Sequence, residues 1–204
     1  MPTEICEFLG GFLRRGACRI GQVKISPDFR LCHVEDSRRD QLATFHDPYD
    51  AMAIARYDDH GKYRPLKTAP NLRHGWQLQL KSLEETTLAL DFLYPAALGT
   101  ALAFTRARLK HVNLRDTLAR QTGMYAVTRK ITDEQAQSTI VRTCNHQDGC
   151  LRHILWSISS GRPSELSRSR TEIEPASNEI PLLCAEACNL LVAAARRTVK
   201  SPAE

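Results

Sequence analysis

Apolar and polar positions alternate along this chain in two periods, and the period changes part-way. Residues 4–15 (EICEFLGGFLRR) have the spacing of a short amphipathic helix that stops at Gly16. Residues 19–25 alternate with the period of a strand, Ser26-Pro27-Asp28 makes a turn, and Phe29, Leu31 and His33 alternate again. Residues 19–35 therefore predict a β-hairpin. Asp47-Pro48 opens a helix over 48–57, with proline at the first helical position. Residues 58–76 have little periodicity and many turn formers, which predicts an ordered loop with at most a short strand.

From about residue 84 the pattern turns helical. Helices are expected over 84–93 and 96–110, separated by Tyr94-Pro95, and over 114–122, capped by Asn113 and ended by Gly123. Thr132-Asp-Glu-Gln135 is a capping box for a helix over 133–143. Further helices are expected over 150–158 and, opened by Pro181, over 182–199. The polar stretch 159–179 predicts a flexible surface loop. The resulting fold class is α+β, with a small N-terminal β-hairpin or mixed part over 1–90 and a helical C-terminal part over 91–200.

Composition narrows this outline. The chain has 204 residues, of which 42% are hydrophobic and 25% charged, so a packed core is expected and bulk disorder is not. No apolar run approaches the roughly 18 residues of a membrane span. Glu4 and Glu7 stand where a signal peptide would be basic, so a cytoplasmic location without membrane association is expected. The net charge of +5 is uneven. Residues 1–100 balance 13 basic against 13 acidic groups, whereas residues 101–204 hold 15 against 10.

Seven cysteines are the main chemical signal. Their odd number, without a sign of secretion, argues against a disulfide framework and for metal or redox chemistry. Four form two pairs: Cys144 with Cys150, across a loop that contains His146 and Gly149, and Cys184 with Cys188. On the expected helix, Cys184 and Cys188 share one face. Cys150, at the start of another, has its thiolate favoured by the helix dipole. Gly149 lets backbone amides approach a ligand, and Arg142, Arg152 and His146 flank the first pair as outer-shell candidates. The spacing leaves three readings: a 4Fe–4S cluster, a zinc ion, or buried cysteines without metal. Zinc is disfavoured because neither gap matches a knuckle turn. Cys6, Cys18 and Cys32 stand singly as small buried hydrophobes.

The string Cys144-Asn…Gly149-Cys150-Leu-Arg-His-Ile-Leu-Trp156, followed by Pro181-Leu-Leu-Cys184-Ala-Glu-Ala-Cys188, resembles a 4Fe–4S-binding domain. That domain is appended to multidomain proteins resembling sirohydrochlorin cobaltochelatases, where it follows a stabilising domain. Residues 63–76, Tyr94-Pro95 and Arg120-Gln-Thr-Gly-Met-Tyr125 are similar to that neighbourhood, and the resemblance spans about residues 17–198. It implies a stabilising-type domain over 1–90 and a cluster domain over 91–200, with Cys144, Cys150, Cys184 and Cys188 as ligands. It also implies a redox partner or a chelatase-like protein nearby. The chelatase part has no counterpart in these residues, so tetrapyrrole activity does not carry over.

Two basic regions are candidate anion sites. Loop residues Arg64, Lys67, Arg73 and Trp76 interleave charge with aromatic rings, which suits an anionic planar ligand. Arg106, Arg108 and Arg120 lie in a basic stretch suited to an acidic partner, an anionic ligand or, less favoured, nucleic acid. No phosphate loop, nucleophile elbow or zinc-protease motif is present, and no catalytic constellation emerges, which leaves enzymatic activity open. Two functional classes remain. One is an electron-transfer or redox-sensing protein, with a link to tetrapyrrole metabolism. The other is a binding module for protein or nucleic acid whose metal site is structural.

Overall fold

A computed structural model describes residues 3–64, 69, 71–110, 112–144, 150–169, 172–173 and 178–200. It is α+β and divides into two compact units, Met1–Arg108 with Glu174–Leu182, and Leu109–Ile173 with Leu183–Glu204.

In the first unit, α1 (Thr3–Leu13) buries Cys6, Leu9 and Leu13 and ends before Gly16, as its pattern predicts. The expected hairpin becomes a three-stranded antiparallel meander of β1 (Cys18–Ile20), β2 (Val23–Ile25) and β3 (Arg30–His33). Gly21 makes the first turn. Its φ is +54°, and a Cβ there would lie 3.0 Å from the Tyr94 ring and 3.1 Å from Leu182. Only glycine tolerates both the conformation and the approach. The phenol that crowds it is used, since the Gln22 amide donates to Tyr94 Oη at 3.0 Å. The sheet is extended by β4 (Ala43–Phe45) and β5 (Trp76–Gln79), and, from far along the chain, by β9 (Glu179–Ile180). The order is β4-β5-β3-β2-β1-β9, with the two outermost pairings parallel.

Helices α2 (Asp50–Ala55), α3 (Leu83–Leu93) and α4 (Ala97–Thr105) complete this unit. Ser82 caps α3 by accepting the Glu85 amide at 3.2 Å. α4 stops five residues short of expectation because Ala107 turns left-handed, with φ +54°. α3 packs on α1 and α2, and α4 on α1, so this unit continues past residue 90 to Arg108.

The second unit contains α5 (Leu114–Ala119), a 3-10 helix (Gly123–Lys130), α6 (Asp133–Cys144) and α7 (Asn189–Lys200). Both predicted caps form. Asn113 Oδ1 accepts the Asp116 amide at 2.8 Å. Thr132 and Gln135 exchange side-chain and backbone bonds at 3.2 and 3.0 Å, a complete capping box.

Two expected helices are corrected. Residues 150–158 instead supply β6 (His153–Ile154) and the start of β7 (Ser157–Ser159). Ile154, Trp156 and Ile158 are all buried, a period of two rather than 3.6. β7 then pairs with β8 (Arg162–Pro163), so the expected loop over 159–179 opens with a hairpin. Residues 182–188 are not helical either: β10 (Leu183–Cys184) pairs in parallel with β6, and α7 starts only at Asn189. The core of this unit joins Leu114, Leu118, Ile140, Ile154, Trp156, Leu191 and Val192.

Candidate metal centre

The four paired cysteines meet in the second unit. Cys144 is the last residue of α6, Cys150 lies just before β6, Cys184 is in β10 and Cys188 immediately precedes α7. Cys144, Cys184 and Cys188 pack on the edge of the second core, and all four are half-buried free thiols. Strand pairing explains the convergence. Cys184 is opposite Ile154 in the β10–β6 register, so the second cysteine pair is held beside the segment that follows Cys150.

Cys184 is the most fully engaged of the four. Trp156 Nε1–H donates to its sulfur at 3.3 Å. Its own thiol donates to the Glu186 carbonyl at 3.2 Å, and its carbonyl accepts the Leu155 amide at 3.0 Å. Burial pushes the Cys184 thiol up to about 11, opposed by the Trp156 hydrogen bond and the charge of Arg152, and assisted by Cys150 and Cys188. Arg152 is fixed there by an Nη1–H bond to the Leu183 carbonyl at 2.9 Å. The Cys144 thiol is pushed far above its ordinary value, first by burial and then by the proximity of Cys184, Cys188 and Cys150. Repulsion among these sulfurs fits their lying near one another.

Helix ends add to the field. Cys188 takes the cap position of α7, its carbonyl accepting the Val192 amide at 3.1 Å. The positive end of the α7 dipole thus faces the site. The dipole support expected at Cys150 is supplied at Cys188 instead, because residues 150–158 are not a helix and α7 begins later.

The donor set fits a cluster better than a single ion. A zinc held at about 2.3 Å by four sulfurs brings those sulfurs to about 3.8 Å from one another. Among the described residues, the only three potential ligand atoms all within 4.8 Å of one another belong to His33, Asp36 and His74. No three of the four sulfurs, all of them among the described residues, form a group that tight, and a 4Fe–4S cluster would not require one.

The other site candidates fare differently. Gly149, His146 and Lys67 lie outside the described residues. Arg142 turns to α6 and α7, donating to the Ser138 carbonyl and to Thr198 Oγ1 at 3.4 Å each. Arg64 is largely buried and is held to buried Asp58 at 3.3 Å. Trp76 is 2% exposed and donates its Nε1–H to the Arg73 carbonyl at 2.6 Å, so its ring faces core rather than ligand. Arg73 and Arg108 are exposed, and Arg106 pairs with Glu4 at 2.7 Å. Arg120 pairs with Glu186, between Cys184 and Cys188, and Thr117 Oγ1 donates to the same carboxylate at 3.2 Å. Trp156 and Glu186 escaped sequence reasoning. Both stand inside the cysteine strings, but their roles need the strand that the helical reading hid.

Residues 106–197 match the family described as the 4Fe-4S iron-sulfur cluster binding domain. Residues 11–103 match the DR2241 stabilising domain. The chain resembles a stabilising domain followed by an iron–sulfur-binding domain. The crystal structure of DR2241 from Deinococcus radiodurans is similar over 96% of this chain, with 29% identity and a TM-score of 0.78. That protein is described as multi-domain, with structural similarity to chelatases and two additional novel domains. This chain spans 41% of its length. No curated protein matches the chain significantly. Among the described residues, no single helix is long and apolar enough to cross a membrane.

Proposed function

We propose that Cys144, Cys150, Cys184 and Cys188 ligate one 4Fe–4S cluster and that the site serves electron transfer or redox sensing. The observation that carries this reading is the convergence of four thiols at one locus inside the iron–sulfur-matching segment. Such a cluster supplies one-electron exchange when bound. The chain's own residues prepare its seat. The Trp156 N–H favours negative charge on the Cys184 sulfur, Arg152 adds a fixed cation, and the α7 dipole points its positive end inward. Packing of three of the ligands against the second core lowers the local dielectric and limits water. Four thiolates would leave no iron open to substrate, which favours electron exchange over Lewis-acid chemistry.

Anaerobic purification, with iron and sulfide analysis, tests the reading. About four irons and four sulfides per chain are expected, lost in Cys184→Ala. One zinc per chain and no sulfide would overturn it.

The likeness to a chelatase-like protein favours a second reading of the role, not of the site. Here the chain acts beside a chelatase-like domain, whether joined to it or as a partner, and links the cluster to tetrapyrrole chemistry. Co-purification of a chelatase-like protein with the cluster-loaded chain, together with a cluster potential shifted by that protein, is the expected result.

A further inference from the structure

A second cluster of potential ligands lies in the first unit, apart from every cysteine discussed above. His33 ends β3, Asp36 ends the 3-10 turn Val34–Asp36 that follows it, and His74 precedes β5. Pairing of β3 with β5 brings the two segments together. One nitrogen of each imidazole and one Asp36 oxygen all lie within 4.8 Å of one another.

His33 is 1% exposed and its Nε2 has no hydrogen-bond partner. A buried polar atom is rarely left so, because it forfeits its hydration without replacement. Asp36 is 0% exposed, and its Oδ1 makes no hydrogen bond but only an ion pair with a largely exposed arginine. The other Asp36 oxygen is anchored, with Oδ2 accepting the Gly75 amide at 2.5 Å, so Oδ1 has a fixed direction. Around Oδ1 stand His74 Nδ1 at 3.8 Å and Arg39 Nη1 at 3.1 Å. The Arg39 side chain is 63% exposed and can leave to water. His74 Nε2 lies 3.8 Å from Glu35 Oε2, and the two imidazole rings are in edge contact with centroids 4.1 Å apart.

We propose that His33, Asp36 and His74 bind one borderline divalent transition cation, Zn2+ or Co2+ in class, with water completing its coordination. Two imidazoles with one carboxylate suit such ions. The set has too few oxygens for calcium, and it lacks the thiolates of an iron–sulfur site. The proton balance is simple. His33 Nδ1 accepts the Glu35 amide at 3.3 Å, so the neutral ring carries its proton on buried Nε2. Capture of the cation at Nε2 moves that proton to Nδ1. The long bond from Glu35 is lost, and the amide of that exposed residue turns to water. The ion would pin the turn after β3 to the segment entering β5.

The test is equilibrium dialysis of the cluster-loaded full chain against Zn2+, with the optical spectrum of the Co2+ form. One Zn2+ beyond the cluster iron is expected, together with a cobalt spectrum of nitrogen and oxygen ligands. His74 is at the surface, so His74→Gln keeps the fold and isolates the ligand role; it should weaken binding at least about tenfold. Cys184→Ser should leave the site unchanged, which separates this inference from the cysteine reading. No saturable binding at millimolar Zn2+, unaltered affinity in His74→Gln, or a thiolate-to-cobalt charge-transfer band would each overturn it.

Discussion

The bond from Trp156 to the Cys184 sulfur gives the site a residue-level lever. A hydrogen bond to sulfur stabilises the more negative, reduced state of a thiolate-bound cluster and raises its potential. A net bond of about 1 kcal/mol corresponds to on the order of 40 mV for one electron. Trp156→Phe keeps the ring and removes the donor, so the potential should fall by on the order of 40 mV in an anaerobic redox titration; an unchanged value would mean that the N–H does not address the bound sulfur. Asp58 offers a lever on stability in the first unit. It is 2% exposed, and burial by itself would raise its pKa. The Lys62 and His60 amides, at 2.7 and 3.1 Å, and the Arg64 guanidinium outweigh burial and hold it below its ordinary value. A depressed folded-state pKa means stability present above the unfolded value, near 4, and lost as pH falls through the folded one. Asp58→Asn should therefore cost about 2 kcal/mol at neutral pH and flatten the acid limb of the stability curve below pH 4, as measured by urea unfolding.

At the scale of elements, legibility followed the source of each element's stability. Helices set by local chemistry were readable: the Thr132–Gln135 box, the Asn113 cap and the stop before Gly16 all appear in the structure. Elements set by partners distant in sequence were not. Leu183-Cys184 has helical composition, yet it pairs with His153-Ile154, some thirty residues earlier. β9 joins β1, whose partner residue Arg19 is 160 positions from Glu179. No local period announces such pairings, because β6, β9 and β10 are two residues long and carry almost no pattern of their own. The cysteine pairs were legible because their signal is residue type and proximity in sequence. Their geometric meaning was not, since Cys188 proved to be a helix start and Cys150 did not. The capping box sits at the far end of α6 from Cys144, so it tests how tightly that helix holds its proposed ligand. Thr132→Ala should lower stability by about 1 kcal/mol in denaturant titration while leaving the iron content of the loaded protein unchanged.

At the scale of the molecule, the chain crosses between its two units three times: after Arg108, after Ile173 and after Leu182. Only Pro181 and Leu182 separate β9, in the first unit's sheet, from β10, which carries Cys184. The proposed cluster, held by four residues of the second unit, would stabilise the folded form of that unit in proportion to its affinity and do nothing directly for the first. The two tryptophans divide between the units, Trp76 in the first and Trp156 in the second, and each is buried. A Trp76→Phe protein thus reports unfolding of the second unit alone, and a Trp156→Phe protein that of the first. Removal of the cluster by a chelator under oxidising conditions should lower the thermal midpoint seen through Trp156 by several degrees or more, since about 1 kcal/mol moves a domain of this size by roughly 4–8 °C. The midpoint seen through Trp76 should move little. Equal shifts at both tryptophans would show that the units unfold as one, coupled through the short link from β9 to β10. In that case, weakening the β1–β9 edge with Arg19→Ala, which removes the 2.6 Å ion pair with Glu179, should also speed loss of iron.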